Sequence, residues 1–409
     1  MKKKVIVIGA GASGIMASIS SARNGYDVTL LEKLPKIGTK LKATGGGRCN
    51  LTNRVSKDEF MNSFGREGRF MAPALDRLDN KALENFFYNI GVDTHSLDGF
   101  RVFPVGHSSV TIINALKNEM KRVGVKIKTS TTVKALEIRD KKVIGIKTKT
   151  ETILADAVIV ATGGLGYPTL GSDGDGYRFA KLIGHKIVEL NPAMMPLKTK
   201  EKWVSNCRAN TIAKAKLRVN IKKYKKLSAI GDLIFTKDGI RGPVVLDFSR
   251  EITPLLSKYN EIPLLVNLTK GMNEEEIIVH IKKILSKNPN LTLLQILETL
   301  LPTSLSIELC KLANASYTIT FGKLSGGVKD KLIKLLAWTP LTIVGHDGFK
   351  MAMITRGGVS LKEVNPNSMM SKKVDGLYFC GEVLNLDGPC GGYNLQWAFS
   401  SGFLAGYIS

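Results

Sequence analysis

Gly9-Ala10-Gly11-Ala12-Ser13-Gly14 sets three glycines in the G-x-G-x-x-G spacing, and Glu32 follows 23 residues after Gly9. The chemistry this pattern serves is dinucleotide binding. The glycines let the backbone approach a pyrophosphate, the free N–H groups and dipole of a helix N-terminus stabilise its charge, and a carboxylate near this spacing meets a ribose hydroxyl. The motif is informative only between a strand and a helix. Val5-Ile6-Val7-Ile8 is a β-branched run suited to a buried parallel strand, residues 17–22 supply small side chains for close helix packing, Gly25 ends the helix, and residues 27–32 read as a second strand.

The motif alone does not choose between NAD and FAD, and four later stretches bear on that choice. Lys40 to Asn53 form a second glycine-rich loop that contains Thr44, Gly45, Gly46, Arg48, Cys49 and Asn50. Residues 157–164 form a strand that ends in Thr162-Gly163-Gly164, and residues 376–382 form another that ends in Gly381-Glu382, an acid placed to bond a ribityl hydroxyl. Gly391-Gly392-Tyr393-Asn394-Leu395 opens a final helix whose dipole suits negative charge at the N1–C2=O edge of a reduced flavin. Arg48 reads as a cofactor contact or as an ordinary salt bridge. Cys390 and Cys49 are the candidate proton donors, since a thiol can act as a general acid near neutral pH; the alternative is that both are small buried residues. His95, His185, His280 and His346 show no ligand spacing, and Asp173 with Asp175 reads as a turn of the cofactor domain, so no metal site is expected.

Four strings, "TGGGRCNLTN", "ATGGLGYPTLGSDGDGYRFAKLIGH", "TRGGVSLKEVNPNSMMSK" and "GEVLNLDGPCGGYNLQWAFSSGFLAG", are similar in order and spacing to those of the BaiN/RdsA-like family of NAD(P)/FAD-dependent oxidoreductases, across nearly the whole chain. The stretch Arg101-Val102-Phe103-Pro104 also matches, with Phe100 where glycine is commoner. His107 falls at a variable place and receives no role. The resemblance implies an α/β fold: a Rossmann-like, glutathione-reductase-type FAD-binding domain with an inserted antiparallel β-barrel domain and a small helical domain. It implies FAD as cofactor, adds Lys33, Lys40 and Val133 to the cofactor contacts, and implies NAD(P)H as a transient electron donor. A separate nicotinamide domain has no support, because no second G-x-G-x-x-G follows a strand. The implied chemistry is flavin-mediated reduction of an electron-poor C=C bond.

The residue pattern allows this organisation. The expected domains are residues 1–190 with 346–409 for FAD, 191–268 with 318–345 for the barrel, and 269–317 for the helical insertion. Asn191-Pro192 marks a break after a strand over 186–190, alternation dominates residues 197–267 with strands at 213–221 and 232–236, and Asn273 caps a helix that opens with Glu274-Glu275-Glu276. The N-terminal uncharged run of residues 5–22 is too rich in glycine and serine for a signal peptide or a membrane span.

The 409 residues carry 59 Lys plus Arg against 35 Asp plus Glu, a net charge of +24, with five cysteines and no CxxC pair. This composition excludes a zinc ribbon and a disulfide framework, fits a reducing cytoplasm, and favours a polyanionic partner. Residues 198–226 hold eleven cations against Glu201 alone. Lys214, Lys216, Arg218 and Lys222 fall on one face of the expected strand with Ala213, Ala215, Leu217, Val219 and Ile221 on the other, and Lys223, Tyr224, Lys225 and Lys226 complete a basic hairpin tip. A weaker cluster runs through Lys121, Arg122, Lys126, Lys128 and Lys134. A membrane surface is disfavoured, because no amphipathic helix with aromatic anchors accompanies the charge. The resemblance implies two substrate classes, bile-acid-like enones and a uridine of 23S ribosomal RNA, and the charge ranks the RNA first. The leading expectation is a reductase that makes dihydrouridine, with reductive methylation as a variant and no obligate protein partner evident. The rivals are a reductase or oxidase of a small molecule, such as a steroid-like enone or an amine, and a non-catalytic flavin-carrying ribosome-binding protein.

Overall fold

The structure is a computed structural model that describes residues 2–408. Two compact units are present, residues 2–192 with 352–408 and Ala193–Met351.

The first unit is built on a five-stranded parallel sheet in the order Leu377–Phe379, Ala157–Val160, Lys4–Ile8, Asp27–Leu31, Lys126–Lys128. Val5, Ile6, Val7 and all of Ala157–Val160 are buried, which is why these strands read as unbroken apolar runs rather than as alternation. The strand Asp27–Leu31 stops one residue short of Glu32, leaving that carboxylate at the sheet's carboxyl end. Helix Ala12–Arg23 follows the first strand and lies on the final helix, Tyr393–Ala405. The contact is made by small residues: a Cβ on Gly402 would fall 2.2 Å from the Ser13 carbonyl oxygen. The expected break at Asn191-Pro192 lies inside the strand Ile187–Ala193, which pairs with Ile354–Val359 in a two-stranded ribbon. A ribbon tolerates the proline because each of its strands keeps one unpaired edge.

The second unit holds a closed six-stranded antiparallel barrel, in the order Leu197–Thr199, Gly239–Arg241, Ser228–Phe235, Thr211–Val219, Ile262–Asn267, Thr339–Gly345. Two helices interrupt the expected strand pattern. Pro243–Tyr259 occupies a stretch read as alternating, and it starts as helices with proline at the first position do, just after Gly242. Its buried Val244, Val245, Phe248, Ile252 and Leu255 follow helical spacing. Gly326–Ala337 lies in a segment assigned to the barrel. Glu274–Lys287 opens with a capping box in which Asn273 and Glu276 bond each other's backbone N–H. Ile277 and Ile281 of this helix, Leu305 and Leu309 of Thr303–Leu312, and barrel residues Leu217 and Leu264 belong to one hydrophobic core, so residues 269–317 share the barrel's core rather than holding one of their own. Among the described residues no helix is long and apolar enough to cross a membrane.

Candidate cofactor and active site

The first turn is shaped by two kinds of glycine. Gly9 has φ +100 and its N–H donates to the Leu31 carbonyl at 2.8 Å, while a Cβ on Gly14 would fall 1.8 Å from the Gly9 carbonyl oxygen. Both close the strand onto the helix. Gly11 is different: its φ is −83, and a Cβ there would meet nothing within 4 Å. The protein itself has no need of a glycine at that position. The helix beginning at Ala12 has no side-chain cap and no acid in its first turn, so its N–H groups remain available to an external anion. Room at Gly11 and an uncapped helix start fit the pyrophosphate of a dinucleotide.

Glu32 is buried beside this turn, and its Oε2 accepts from Ala10 N at 2.8 Å and its Oε1 from Leu34 N at 2.9 Å. Val133 is buried in the adjoining segment, where Thr131 N donates to the Glu32 carbonyl at 2.9 Å. Lys33 pairs with Asp173 and, at 3.2 Å, with Asp175. Burial raises the Asp175 carboxyl, but Arg178 at 3.0 Å and Lys33 outweigh it and hold the group below its ordinary value.

A second cluster gathers at the carboxyl end of the sheet. Gly381, at φ +77, donates its N–H to Ser401 Oγ at 2.9 Å, and Ser13 Oγ would lie 2.5 Å from a Cβ on it. Glu382 accepts from Lys40 Nζ at 2.9 Å through Oε2 and from Thr355 N at 2.9 Å through Oε1. Thr355 Oγ1 accepts from Leu165 N at 2.7 Å, and Tyr177 donates its hydroxyl to the Glu382 carbonyl at 3.3 Å. Burial first, and the Glu382 charge second, push the Tyr177 phenol well above its ordinary value, so it stays a donor. Thr162 Oγ1, next to Gly163, is buried without a hydrogen-bond partner among the described residues, as a group awaiting a ligand would be. Thr355, Tyr177 and Ser401 were not singled out in the sequence; the strings that contain them were, but no local spacing marks them.

The glycine loop takes left-handed conformations at Gly45, Gly46 and Gly47, and also at Cys49 (φ 61). Cys49 has no exposed surface, and burial pushes its thiol up to about 12. It packs in the core and offers no surface to a substrate, which removes it as a proton donor. Arg48 is exposed; its Nε donates to the Gly45 carbonyl at 3.2 Å and its guanidinium lies 5.3 Å from the Phe103 ring centroid. Among the described residues it has no carboxylate partner, so the salt-bridge reading fails.

This loop is tied to the start of the final helix. Asn53 Nδ2 donates to the Gly391 carbonyl at 2.9 Å, and the Asn50 amide, oriented to suit its neighbours, accepts from Gly392 N at 3.1 Å. Gly392 has φ +89 and would place a Cβ 2.5 Å from the Thr52 backbone. Asn394 clamps the preceding loop, donating to the Gly388 carbonyl at 2.8 Å and accepting from Gly388 N at 2.7 Å. Tyr393 is buried against Phe60, their ring centroids 5.0 Å apart, and Leu395 is half-buried. Phe100, in place of the commoner glycine, reaches to 3.0 Å of where a Gly391 Cβ would stand. The helix start carries no side-chain cap and no acid, and Cys390 beside it is half-exposed.

The basic stripe lies in the second unit. The strand runs Thr211–Val219, and a bulge between Ile212 and Ala215 puts Lys214 at φ 52, with its N–H donating to Asp232 Oδ1 at 3.1 Å. The bulge turns Ala213 outward, against expectation, and brings Ile212 in with Ala215, Leu217 and Val219. Lys214, Lys222, Lys223, Lys225 and Lys226 are exposed, and Lys216 and Arg218 are half-exposed. None of the seven forms an ion pair among the described residues. Arg218 lies 3.9 Å from the Trp338 ring centroid. Tyr224 is half-buried with its ring 6.0 Å from Tyr259, so it is held by the fold rather than free at a hairpin tip.

Residues 3–408 match the family described as HI0933-like protein Rossmann domain. The chain belongs to this family, one of FAD-dependent oxidoreductases. It is 33% identical over 405 residues, 98% of each chain, to the 3-dehydro-bile acid delta(4,6)-reductase of Clostridium scindens. It is 32% identical over 402 residues, 97% of this chain and 96% of the relative, to the ribosomal RNA dihydrouridine synthase of Haemophilus influenzae. Among solved structures, 3-ketosteroid delta1-dehydrogenase from Sterolibacterium denitrificans shares the fold at a TM-score of 0.53 and 13% identity, with 99% of both chains covered.

Proposed function

We propose that this HI0933-like protein reduces the C5=C6 bond of a uridine in ribosomal RNA to give dihydrouridine, with NAD(P)H as a transient donor of the electrons. The observation that carries the substrate choice is the row of cations over Lys214–Lys226 with no carboxylate partner, since a small neutral enone has no use for it and a phosphate backbone does. The name of the Haemophilus influenzae relative supports the same choice.

FAD, when bound, supplies the two-electron chemistry. The chain's part is to hold and polarise. The Gly9–Gly14 turn and the uncapped start of Ala12–Arg23 receive the pyrophosphate, and Glu32 faces the adenosine ribose. Glu382, Lys40, Thr162 and Gly163 take the ribityl chain, with Thr44, Gly45, Gly46, Arg48 and Asn50 beside it. The N-terminus of Tyr393–Ala405 stabilises negative charge near Gly392. Cys390 is the proposed proton donor to the uridine carbon, because it is the thiol in these motifs that is not fully buried. The target base leaves its stack to reach these groups. The barrel binds phosphates of the RNA.

The test is to incubate the purified holoprotein and NADPH with ribosomal RNA from a strain lacking the gene, and to digest and weigh the nucleosides. Dihydrouridine gained at one position is the expected result; none gained, with the flavin reduced, would sink the proposal. A second reading, reduction of a steroid-like enone, draws on the name of the Clostridium scindens relative. Rapid NADPH-dependent consumption of a free enone, unaltered by charge reversal of Lys216, would favour it.

A further inference from the structure

The basic face of the barrel uses lysine almost throughout: from Thr211 to Lys226 the cations are Lys214, Lys216, Lys222, Lys223, Lys225, Lys226 and a single arginine, Arg218. Lysine serves as a point charge toward phosphate, whereas arginine adds a flat, delocalised cation that stacks. Arg218 is set where that difference matters. Its guanidinium carbon lies 3.9 Å from the Trp338 ring centroid, a shorter separation than the 5.6 Å between Lys223 Nζ and Tyr224 on the same hairpin.

The barrel fixes both partners. Arg218 pairs with Ser228 on one neighbouring strand and Leu265 on the other, so no carboxylate stands directly opposite it. Leu265 in turn pairs with Pro340, two residues beyond Trp338 at the start of the next strand. Arg218 and Trp338 are each half-exposed, and Arg218 forms no ion pair among the described residues. The guanidinium carbon sits over the indole ring, and the group keeps no anionic partner among the described residues. Unpaired nucleobases stack on such planes, and base stacking tolerates any sequence because every base has a π-face.

We infer that Arg218, laid on Trp338, is a stacking platform for one unpaired RNA base, flanked by the lysines that hold the adjacent phosphates. The inference rests on the RNA reading above and sharpens it, because it makes the bound segment single-stranded at this point rather than a duplex recognised by its backbone.

The test is fluorescence anisotropy of the holoprotein with three labelled probes: a 12-nucleotide oligouridine, an abasic ribose-phosphate strand of the same length, and a 12-base-pair RNA duplex. A stacked base is worth about fivefold or more in affinity. The wild type is therefore expected to bind oligouridine at least about fivefold tighter than the abasic strand. Arg218→Lys keeps the charge and loses the plane, so it is expected to bring that preference below about twofold while the abasic affinity and its salt dependence stay unchanged. Trp338→Leu should do the same, and if it fails to fold the Arg218→Lys arm still decides. A preference that survives Arg218→Lys, a preference absent from the wild type, or a duplex bound as tightly as oligouridine would overturn the platform while leaving phosphate binding intact. Failure of the wild type to bind any of the three would instead overturn the RNA reading itself.

Discussion

Two stretches of this chain look alike in composition and differ in what their charge is free to do. In the first unit Arg122, Lys126 and Lys128 each have an acid, Glu119 at 2.7 Å, Asp27 at 2.7 Å and Glu151 at 3.3 Å, while Lys121 and Lys134 form no ion pair among the described residues. Lys214, Lys216, Lys222, Lys225 and Lys226 belong to the second, and none has one among the described residues. Glu119 lies one helical turn before Arg122, whereas Glu151 and Asp27 come from 23 and 99 residues away. Net charge counted along a segment therefore overstates the first stretch as a binding surface and not the second. An anionic partner meeting the first must displace carboxylates, whereas at the second it displaces only water and counterions.

Reversing charge at Lys216, Lys222 and Lys225 should have the largest effect of any change that tests this contrast. RNA affinity near 0.1 M salt should fall by about a hundredfold or more, and the slope of log affinity against log salt should flatten by about 2–3, from roughly 0.7–0.9 per phosphate contact. Anisotropy titrations across a salt series read both; an unchanged slope would break the contrast.

Glu119→Gln probes the opposite stretch and should act on stability instead. Glu119 is 4% exposed and accepts from both Arg122 and Arg23, so losing its charge should cost about 1–3 kcal/mol in urea unfolding and leave RNA affinity within about twofold. Its hydrogen bond from Arg122, first, and its contact with Arg23 hold the carboxyl below the ordinary 4.5 against the opposing effect of burial. A depressed carboxyl stabilises the fold above its unfolded value and loses that contribution as pH falls through the folded one. The gap between wild type and Glu119→Gln should therefore be full at neutral pH and shrink below about pH 4.5. Lys128→Ala should do least, under about 0.5 kcal/mol and with no change in RNA binding, because its partner is as exposed as it is.

What could be read in the sequence was local. The β-branched run at Val5, the glycine spacing and the small residues that follow all act within about twenty residues, and they located the parallel sheet, the turn and the first helix. The Asn273 cap was legible for the same reason. Thr355 and Tyr177 were not, because Glu382 joins them only in space; Lys40 meets Glu382 across 342 residues. Helix Pro243–Tyr259 was missed because a short apolar stretch after barrel strands satisfies alternation about as well as helical period. The bulge at Lys214 adds one residue and leaves the lysines outward, so only Ala213 and Ile212 betray it. Cys49 was a candidate acid by its motif and is a packing residue by its burial.

Cells lacking the gene show whether the proposed action on ribosomal RNA depends on the unpaired cations of the barrel. Dihydrouridine in 23S ribosomal RNA is measured by mass spectrometry in the deletion strain and after complementation with wild type or with the variant reversed at Lys216, Lys222 and Lys225. One dihydrouridine is expected to be lost on deletion, restored by the wild type and not by the variant. Dihydrouridine unchanged by deletion, or fully restored by the variant, would contradict the proposed action.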